Sequence, residues 1–221
     1  MKSVTIRKIE SLNHNVRRLV TDKPEGYAFE PGQATLVAVD REGMREEKRP
    51  FTFTSLPGET HLEFTIKIYP DHEGVTAEID RLREGDHLLI ENPWGAITYQ
   101  GPGTFIAGGA GLTPFLAILR DQAKKPGEGT HRLFFSNHTG KDLFLRKELE
   151  EVTEGNLLLT FTKEEVPGAE HGRVDFGFLK KQIEDTDQNF YVCGPPEMVE
   201  NVSGNLKKMG VAPEKIVTEE S

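Results

Sequence analysis

Residues 104–120 read TFIAGGAGLTPFLAILR, and this stretch decides how the second half of the chain folds. The run TFIA is typical of a buried strand, and TPFLAILR has the apolar spacing of a helix. Between them, Gly109 and Gly111 allow close backbone approach, and free N–H groups at the helix start favour an anion. Thr113 is predicted as the N-cap and Pro114 in the first helical position. The stretch predicts a pyrophosphate-binding loop, with a ligand-free tight turn as the alternative.

This loop departs from the usual dinucleotide-binding fingerprint. Pro114 stands where the third glycine is expected, and the next strand ends at Ser136-Asn137-His138, without an acidic residue to hold a ribose diol. A standard NAD dehydrogenase is therefore disfavoured. A methyltransferase that uses S-adenosylmethionine is disfavoured as well, because it does not explain the β-rich first half.

Downstream of the loop, strand-like and helix-like segments alternate. The predicted strands are RLFFSN (132–137), LLLTFT (157–162) and NFYVCG (189–194). The predicted helices are LFLRKELEEV (143–152), FGFLKKQIED (176–185) and EMVENVSGNLKKMG (197–210). Such alternation, with continuously apolar strands, predicts an α/β domain whose parallel sheet is covered on both faces.

Upstream of the loop the segments are short and mostly alternate polar with apolar residues. They are VTIRKIE (4–10), VRRLVTD (16–22), ATLVAVD (34–40), FTFTS (51–55), HLEFTIKIY (61–69) and HLLIENP (87–93). They predict an antiparallel β-barrel or sandwich, interrupted by one short helix within 75–86 that stops at Gly85-Asp86. Gly and Pro at 100–103 mark a boundary between domains at 1–101 and 102–221.

Composition excludes several functional classes. The 221 residues carry a net charge of −9, which argues against nucleic-acid binding. The single Cys193 excludes an intrachain disulfide, a cysteine-rich zinc site and an iron–sulfur cluster held by this chain, and no histidine pair has metal-ligand spacing, so no metal is expected. No run is long enough for a membrane span and no signal peptide is recognised, which predicts a cytoplasmic protein.

Four motifs, in order, carry a resemblance to a known family. Arg49-Pro50-Phe51-Thr52 resembles an R-x-Y-[S/T] flavin motif, and Gly74-Val75-Thr76 a second flavin-phosphate motif. The loop from Gly109 to Pro114 resembles a nicotinamide-cofactor pyrophosphate loop, and Cys193-Gly194-Pro195-Pro196-Glu197-Met198 a C-G-P-P-x-M signature. Over essentially its whole length the chain resembles the ferredoxin–NADP reductase superfamily.

The resemblance implies two cofactor sites and an enzyme. FAD would contact Arg49, Pro50, Phe51, Thr52, Ile66, Lys67, Tyr69, Gly74, Val75 and Thr76. NADH or NADPH would contact Gly109, Gly111, Thr113, Pro114, Ser136, Cys193, Gly194 and Pro195. Arg49 offers a forked donor suited to phosphate and Phe51 an aromatic surface. Thr52 and Cys193 are the implied catalytic residues, flanking hydride transfer from nicotinamide to flavin.

The electron acceptor and the choice of nicotinamide cofactor stay open. Ferredoxin or flavodoxin is the implied acceptor. The alternatives are a free-flavin or quinone reductase, the reductase component of an oxygenase, or a non-catalytic nucleotide-binding module. An acidic partner would need a basic patch, for which Arg17, Arg18, Lys48 and Arg83 are candidates by sign. Neutral His138 is a poor clamp for a 2′-phosphate, which favours NADH, although Lys141 partly compensates.

The C-terminal segment and the oligomeric state are the last open points. The chain ends Ile216-Val217-Thr218-Glu219-Glu220-Ser221, without the aromatic residue that shields the flavin in many relatives. An exposed acidic tail is predicted, with Glu219 as a polar partner of the flavin ring as the alternative. Nothing in the sequence indicates whether the protein is a monomer or a dimer.

Overall fold

The computed structural model describes residues 1–69, 74–95, 97–125, 127 and 129–219. Two six-stranded sheets follow one another along the chain. The last strand of the first sheet ends at Ile90, and the first strand of the second begins at Gly103. Among the described residues, no helix combines the length and apolar character that a membrane crossing requires.

The first sheet is antiparallel and curls into a nearly closed barrel. Its strands are β1 (Lys2–Ser11), β2 (Val16–Asp22), β3 (Ala34–Val39), β4 (Arg49–Thr52), β5 (His61–Lys67) and β6 (His87–Ile90), in the order β4-β3-β6-β1-β2-β5. An antiparallel bridge from Phe53 to Phe64 brings its two ends together. Inward-facing apolar side chains fill the interior, as alternation along the strands predicts.

The second sheet is wholly parallel. Its strands are β7 (Gly103–Gly108), β8 (His131–Asn137), β9 (Leu157–Phe161), β10 (Glu170–His171), β11 (Asn189–Cys193) and β12 (Ile216–Thr218), in the order β10-β9-β8-β7-β11-β12. Helices α2 (Thr113–Gln122) and α3 (Arg146–Val152) pack on one face, and α4 (Phe176–Gln182) and α5 (Pro196–Lys208) on the other. The predicted fold, an antiparallel barrel followed by a parallel α/β domain, is confirmed.

Several local predictions differ from the structure. Helix α1 (Val75–Asp80) ends before Gly85, because the backbone tightens into i→i+3 hydrogen bonds from Arg81 and Leu82. Helix α3 begins three residues later than predicted, since Leu145 adopts φ 57°. The short strands β10 and β12 went unrecognised because two or three residues carry too little periodicity.

The two domains also contact each other directly. Val16 of the barrel and Ile97 of the connection belong to the hydrophobic core beneath α2. At the β1–β2 turn, the Asn13 amide donates to the carbonyl of Asp142 at 3.0 Å, and His14 Nδ1 lies 3.1 Å from the carbonyl oxygen of Lys141. Apolar and polar contacts together therefore join the barrel to the α/β domain.

Candidate active site

Strand β4 carries Arg49, the predicted ligand of the flavin phosphate, at its first position. The register with β3 sets Arg49 opposite Val37 and Thr52 opposite Ala34. The Arg49 side chain is 55% exposed; its Nη1 donates to the carbonyl of Lys48 at 2.7 Å and lies 4.0 Å from Glu47. Most of the five guanidinium donors therefore face solvent and suit an anion. Pro50 is exposed and Thr52 half-buried on the same strand.

The two phenylalanines of this segment have different surroundings. Phe53 is fully buried, with its ring centroid 4.3 Å from Phe29 and 5.3 Å from Phe64. Phe51 packs against the edge of the same core and is only half-buried. Phe51 therefore retains ring surface for a flat ligand, whereas Phe53 is a core residue.

Around α1, the predicted FAD residues offer backbone more than side chains to a ligand. Ile66 and Val75 bury their side chains in the barrel core. Gly74 precedes the helix, and apart from its chain neighbours no atom of the described residues lies within 4 Å of the position that a Cβ would take there. Thr76 is half-buried in the first turn. Open space beside free N–H groups fits a diphosphate, and residues 70–73 lie outside the described part of the chain.

Lys67 connects the predicted flavin site to the glycine loop. It ends β5, and its Nζ lies 5.9 Å from the centroid of the exposed Tyr69 ring. A Cβ at Gly109, in the other domain, would lie 3.7 Å from the same Nζ. Burial opposes ionisation of Asp142, but hydrogen bonds from Thr139, with the charges of Lys67 and His14, lower its pKa overall. The Lys67 ammonium thus lies between the barrel and the glycine loop of the α/β domain.

The glycine loop forms a short 3₁₀ turn, Gly109–Leu112, between β7 and α2. Gly109 has φ 53°, and a Cβ at Gly111 would lie 2.3 Å from the carbonyl oxygen of Cys193. The left-handed backbone at Gly109 favours glycine, and the close approach at Gly111 leaves no room for any side chain. The predicted N-cap at Thr113 is wrong: Leu112 precedes α2 in helical conformation, and the Thr113 hydroxyl donates to the carbonyl of Ala110 at 3.0 Å. Pro114 lies in the first turn, as its missing N–H favours.

The C-G-P-P-x-M signature lies against this loop. Cys193 ends β11 beside Ala107 of β7, and α5 begins at Pro196, immediately after Gly194 and Pro195. A Cβ at Gly108 would lie 2.4 Å from Met198 Sδ. Sequence segments almost ninety residues apart are thus brought together at the carboxyl edge of the sheet, where ligands of open α/β sheets bind.

Strand β8 contributes a polar end to the same edge. Ser136 and Asn137 are buried, and the Asn137 Nδ2 amide has no hydrogen-bond partner among the described residues. Beyond them, His138 Nδ1 lies 2.9 Å from the Thr162 hydroxyl, and the Glu164 carboxylate accepts from the Gly140 amide at 2.7 Å. A buried donor without a partner is costly, so Asn137 fits a site completed by a ligand.

The C-terminal segment is not a free tail up to Glu219. Strand β12 pairs in parallel with β11, so Val217 lies beside Tyr191. Glu219 is exposed, yet its Oε2 lies 4.0 Å from Cys193 Sγ. Burial, with the Glu219 charge, raises the pKa of the Cys193 thiol to about 12. Glu219 thus lies beside Cys193 while remaining exposed, and its role as a polar partner of the flavin ring stays a prediction. Glu220 and Ser221 lie outside the described residues.

The sequence did not reveal a partly buried cluster of charges between the two domains. Arg120, the last residue of the stretch 104–120, donates from Nη1 to Glu63 of the barrel at 2.6 Å. The sequence held one signal, an arginine directly after the apolar run 114–119 of α2, but its partner Glu63 lies more than fifty residues away. No group of three or more potential metal ligands occurs in the described chain.

Both cofactors fit the residues present. FAD has an exposed guanidinium in Arg49, a half-buried ring in Phe51 and open backbone at Gly74. A nicotinamide dinucleotide has the glycine loop, the unpartnered amide of Asn137 and a neighbouring cation in Lys67. These groups offer what diphosphates and aromatic rings require.

Known proteins match the same division of the chain. The oxidoreductase FAD-binding domain family matches residues 3–99, and the oxidoreductase NAD-binding domain family matches residues 105–204. NADH–cytochrome b5 reductase 1 of Arabidopsis thaliana is 29% identical over 96% of this chain and 82% of its own length. The ferredoxin–NAD(P)+ reductase component of the naphthalene 1,2-dioxygenase system of Pseudomonas putida is 28% identical over 96% of this chain and 66% of its own.

A solved structure shows the same fold. The ferredoxin NADP+ reductase from Neisseria gonorrhoeae, with bound FAD and NADP, superposes with a TM-score of 0.85 at 20% identity, covering 98% of this chain and 97% of that one. Among four of the curated relatives, this chain spans between 61% and 82% of their length. The chain, with its FAD-binding barrel and NAD-binding α/β domain, belongs to the ferredoxin–NADP reductase superfamily.

Proposed function

We propose that this protein is an FAD-dependent NAD(P)H oxidoreductase that delivers electrons to a separate acceptor. The observation that carries the proposal is the approach of Lys67 Nζ to within 3.7 Å of the Cβ position at Gly109. This approach supports the proposal because it would bring the proposed flavin-binding end of the barrel beside the proposed dinucleotide loop. The proposed division of the chain, at residues 101 and 102, falls in the connection between the two sheets.

The protein's own contribution is positioning. FAD, when bound, supplies a ring that takes a hydride from nicotinamide and releases electrons singly or in pairs. Arg49 and the backbone at Gly74 would hold its diphosphate, and Phe51 and Thr52 would orient its ring. Gly109 and Gly111 would admit the nicotinamide dinucleotide, while the buried, protonated Cys193 thiol would exclude water at the meeting point.

Of the two nicotinamide cofactors, NADH rather than NADPH is the proposed substrate. A 2′-phosphate requires cations at the end of β8, but His138 is engaged by Thr162, and the Glu164 carboxylate adds negative charge at Gly140. Both features disfavour a phosphate dianion there. We expect a lower KM for NADH than for NADPH, and a lower KM for NADPH would overturn this assignment.

A small-molecule acceptor is favoured over an acidic protein. Three of the four cations considered for a basic patch are paired: Arg17 with Asp80 at 2.8 Å, Lys48 with Glu91 at 2.8 Å, and Arg18 within the partly buried cluster near Glu63. At a net charge of −9, an acidic ferredoxin or flavodoxin would be repelled. Ferredoxin remains the second candidate, because the Pseudomonas relative is named a ferredoxin reductase component.

The deciding experiment is anaerobic reduction of the FAD-loaded protein by NADH and NADPH, followed at the flavin absorbance bands. Rates with ferricyanide, FMN, a quinone, ferredoxin and flavodoxin, measured at low and high salt, then identify the acceptor class. Protein that takes up no FAD would overturn the proposal and favour a non-catalytic nucleotide-binding module.

Arg49→Ala supplies the residue-level test of the FAD site. Loss of charge-assisted hydrogen bonds is expected to weaken FAD binding by about ten- to a hundredfold. Arg45→Ala is the matched control, since that side chain is 60% exposed and pairs with Asp40. Equal FAD affinity in the two variants would refute the assignment of Arg49.

A further inference from the structure

A partly buried polar cluster, here called the interdomain cluster, joins five residues from both domains: Arg18, Thr54, Glu63, Arg120 and Glu148. Arg120 of α2 lies at its centre. Its Nη1 donates to Glu63 Oε1 at 2.6 Å and to the backbone carbonyl of Thr54, both in the barrel. Its Nε donates to Glu148 Oε1 of α3 at 2.6 Å. One guanidinium therefore binds three groups on both sides of the domain boundary.

The remaining members complete this arrangement. The Thr54 hydroxyl donates to Glu63 Oε1 at 2.8 Å. Arg18 of β2 lies 3.6 Å from Glu63 Oε2 and 3.5 Å from Glu148 Oε2. The two arginines and two glutamates balance in charge, and the side chains of Arg120 and Glu63 are only 17% and 11% exposed. Salt therefore screens this cluster far less than a surface ion pair.

The cluster connects to both proposed cofactor sites through short stretches of backbone. Thr54 follows Thr52, the residue assigned to the flavin ring, by two positions. Arg120 follows Thr113, at the glycine loop, by seven residues of continuous α-helix, about 10 Å along the axis. A shift of α2 against Thr54 would therefore displace the dinucleotide loop relative to the flavin segment.

We propose that Arg120 is a positioning residue that fixes the orientation of the two domains and, with it, the distance between the nicotinamide and flavin rings. This inference rests on the proposed function. It assigns Arg120 no contact with either cofactor: Arg120 acts through Thr54 and Glu63 on one side and through helix α2 on the other. Arginine is needed because a planar fork reaches several acceptors at once, which a lysine ammonium does not.

The test uses Arg120→Gln and Arg120→Lys in the full chain. Flavin reduction at saturating NADH is expected to slow by about tenfold or more in both variants, since small misplacements strongly lower transfer rates. FAD affinity and the dissociation constant of NADH should change less than threefold. A merely structural role would lower thermal stability and leave the reduction rate of the folded, FAD-loaded fraction unchanged.

A second measurement, the distance between the two domains, does not depend on enzymatic activity. Nitroxide labels at Lys8→Cys in the barrel and Lys180→Cys in α4, both exposed sites, report the interdomain distance in FAD-free and FAD-loaded protein. The distance distribution is expected to broaden or shift in the Arg120 variants. Arg132→Gln is the matched control, since its half-buried side chain donates to the Gln182 carbonyl within one domain.

The outcomes separate the two proposals. An unchanged distance distribution together with an unchanged reduction rate in Arg120→Lys and Arg120→Gln overturns the positioning role. If Arg120→Gln does not fold, Arg120→Lys decides alone. If the parent protein is not reduced by NADH at all, the proposed function fails, while the distance measurement still tests whether Arg120 fixes the domains.

Discussion

Cys193 Sγ and Glu219 Oε2 lie 4.0 Å apart, although one ends a central strand and the other follows the last strand. Pairing of β12 with β11 brings them together. Burial is the larger cause, and the carboxylate the second, of a Cys193 pKa raised to about 12. The thiol is therefore held protonated beside the glycine loop.

The first prediction concerns the reactivity of this thiol. In the native protein, Cys193 should react very slowly with a disulfide reagent at pH 8, because only the thiolate attacks. Glu219→Gln removes the negative charge and should lower the pKa, and each unit of decrease raises the thiolate fraction about tenfold. The reaction rate against pH measures this, with Glu214→Gln as the control. Equal pH profiles for the two variants would exclude a role for Glu219.

The second prediction concerns the close approach at Gly111. Gly111→Ala forces a Cβ to within 2.3 Å of the Cys193 carbonyl oxygen, so the loop or β11 must move. We expect an unfolding free energy lower by about 1–3 kcal/mol and weaker NADH binding, measured by denaturant titration and by calorimetry. Gly204→Ala is the control: nothing lies within 4 Å, and it should stabilise α5 by about 0.5–1 kcal/mol. Similar effects of the two changes would contradict the prediction.

The third prediction separates Phe51 from Phe53. Phe53→Ala empties a fully buried site and should lower the unfolding free energy by about 3–5 kcal/mol. Phe51→Ala should lower the unfolding free energy less than Phe53→Ala does, because Phe51 is only half-buried. Relative to that loss of stability, Phe51→Ala should weaken FAD binding more than Phe53→Ala does. Thermal unfolding and flavin titration distinguish them. The assignment of Phe51 is wrong if its loss leaves FAD affinity unchanged.

The fourth prediction concerns acid stability. Burial would raise the pKa of Glu63, but Arg120, the Thr54 hydroxyl and Arg18 outweigh it and lower the pKa below the ordinary 4.5. The unfolded chain therefore binds the proton more readily. The stabilisation is fully present above about pH 4.5 and is lost as the pH falls through the lower folded-state pKa.

Glu63→Gln tests this directly. At pH 7 it should lower the unfolding free energy by about 3–5 kcal/mol, because two arginines lose a buried partner. Below pH 4.5 the difference from the parent protein should shrink. Urea unfolding between pH 3 and pH 7 measures both effects, and Glu150→Gln, on the exposed face of α3, is the control. A difference that stays constant over this range would contradict the lowered pKa.

Regular elements were largely predictable from local pattern. Alternation along 16–22 and 61–67 predicted barrel strands, and the apolar run into Gly109 predicted a buried strand followed by a helix. Local pattern failed where three-dimensional context decides. Thr113 is a residue type that often caps a helix, but the 3₁₀ turn before it already places Leu112 in helical conformation, so Thr113 lies inside the helix.

Residue order by itself determined the two-domain fold and the motifs, because strand and helix periods and glycine requirements are local properties of the chain. Tertiary structure alone decided which of Phe51 and Phe53 is buried, that Glu219 lies beside Cys193, and that Arg120 joins α2 to Glu63. These relationships join residues far apart in sequence or depend on which face of a strand meets the core. Such contacts produce no periodic pattern in the sequence, because they form only when distant segments of the chain pack together.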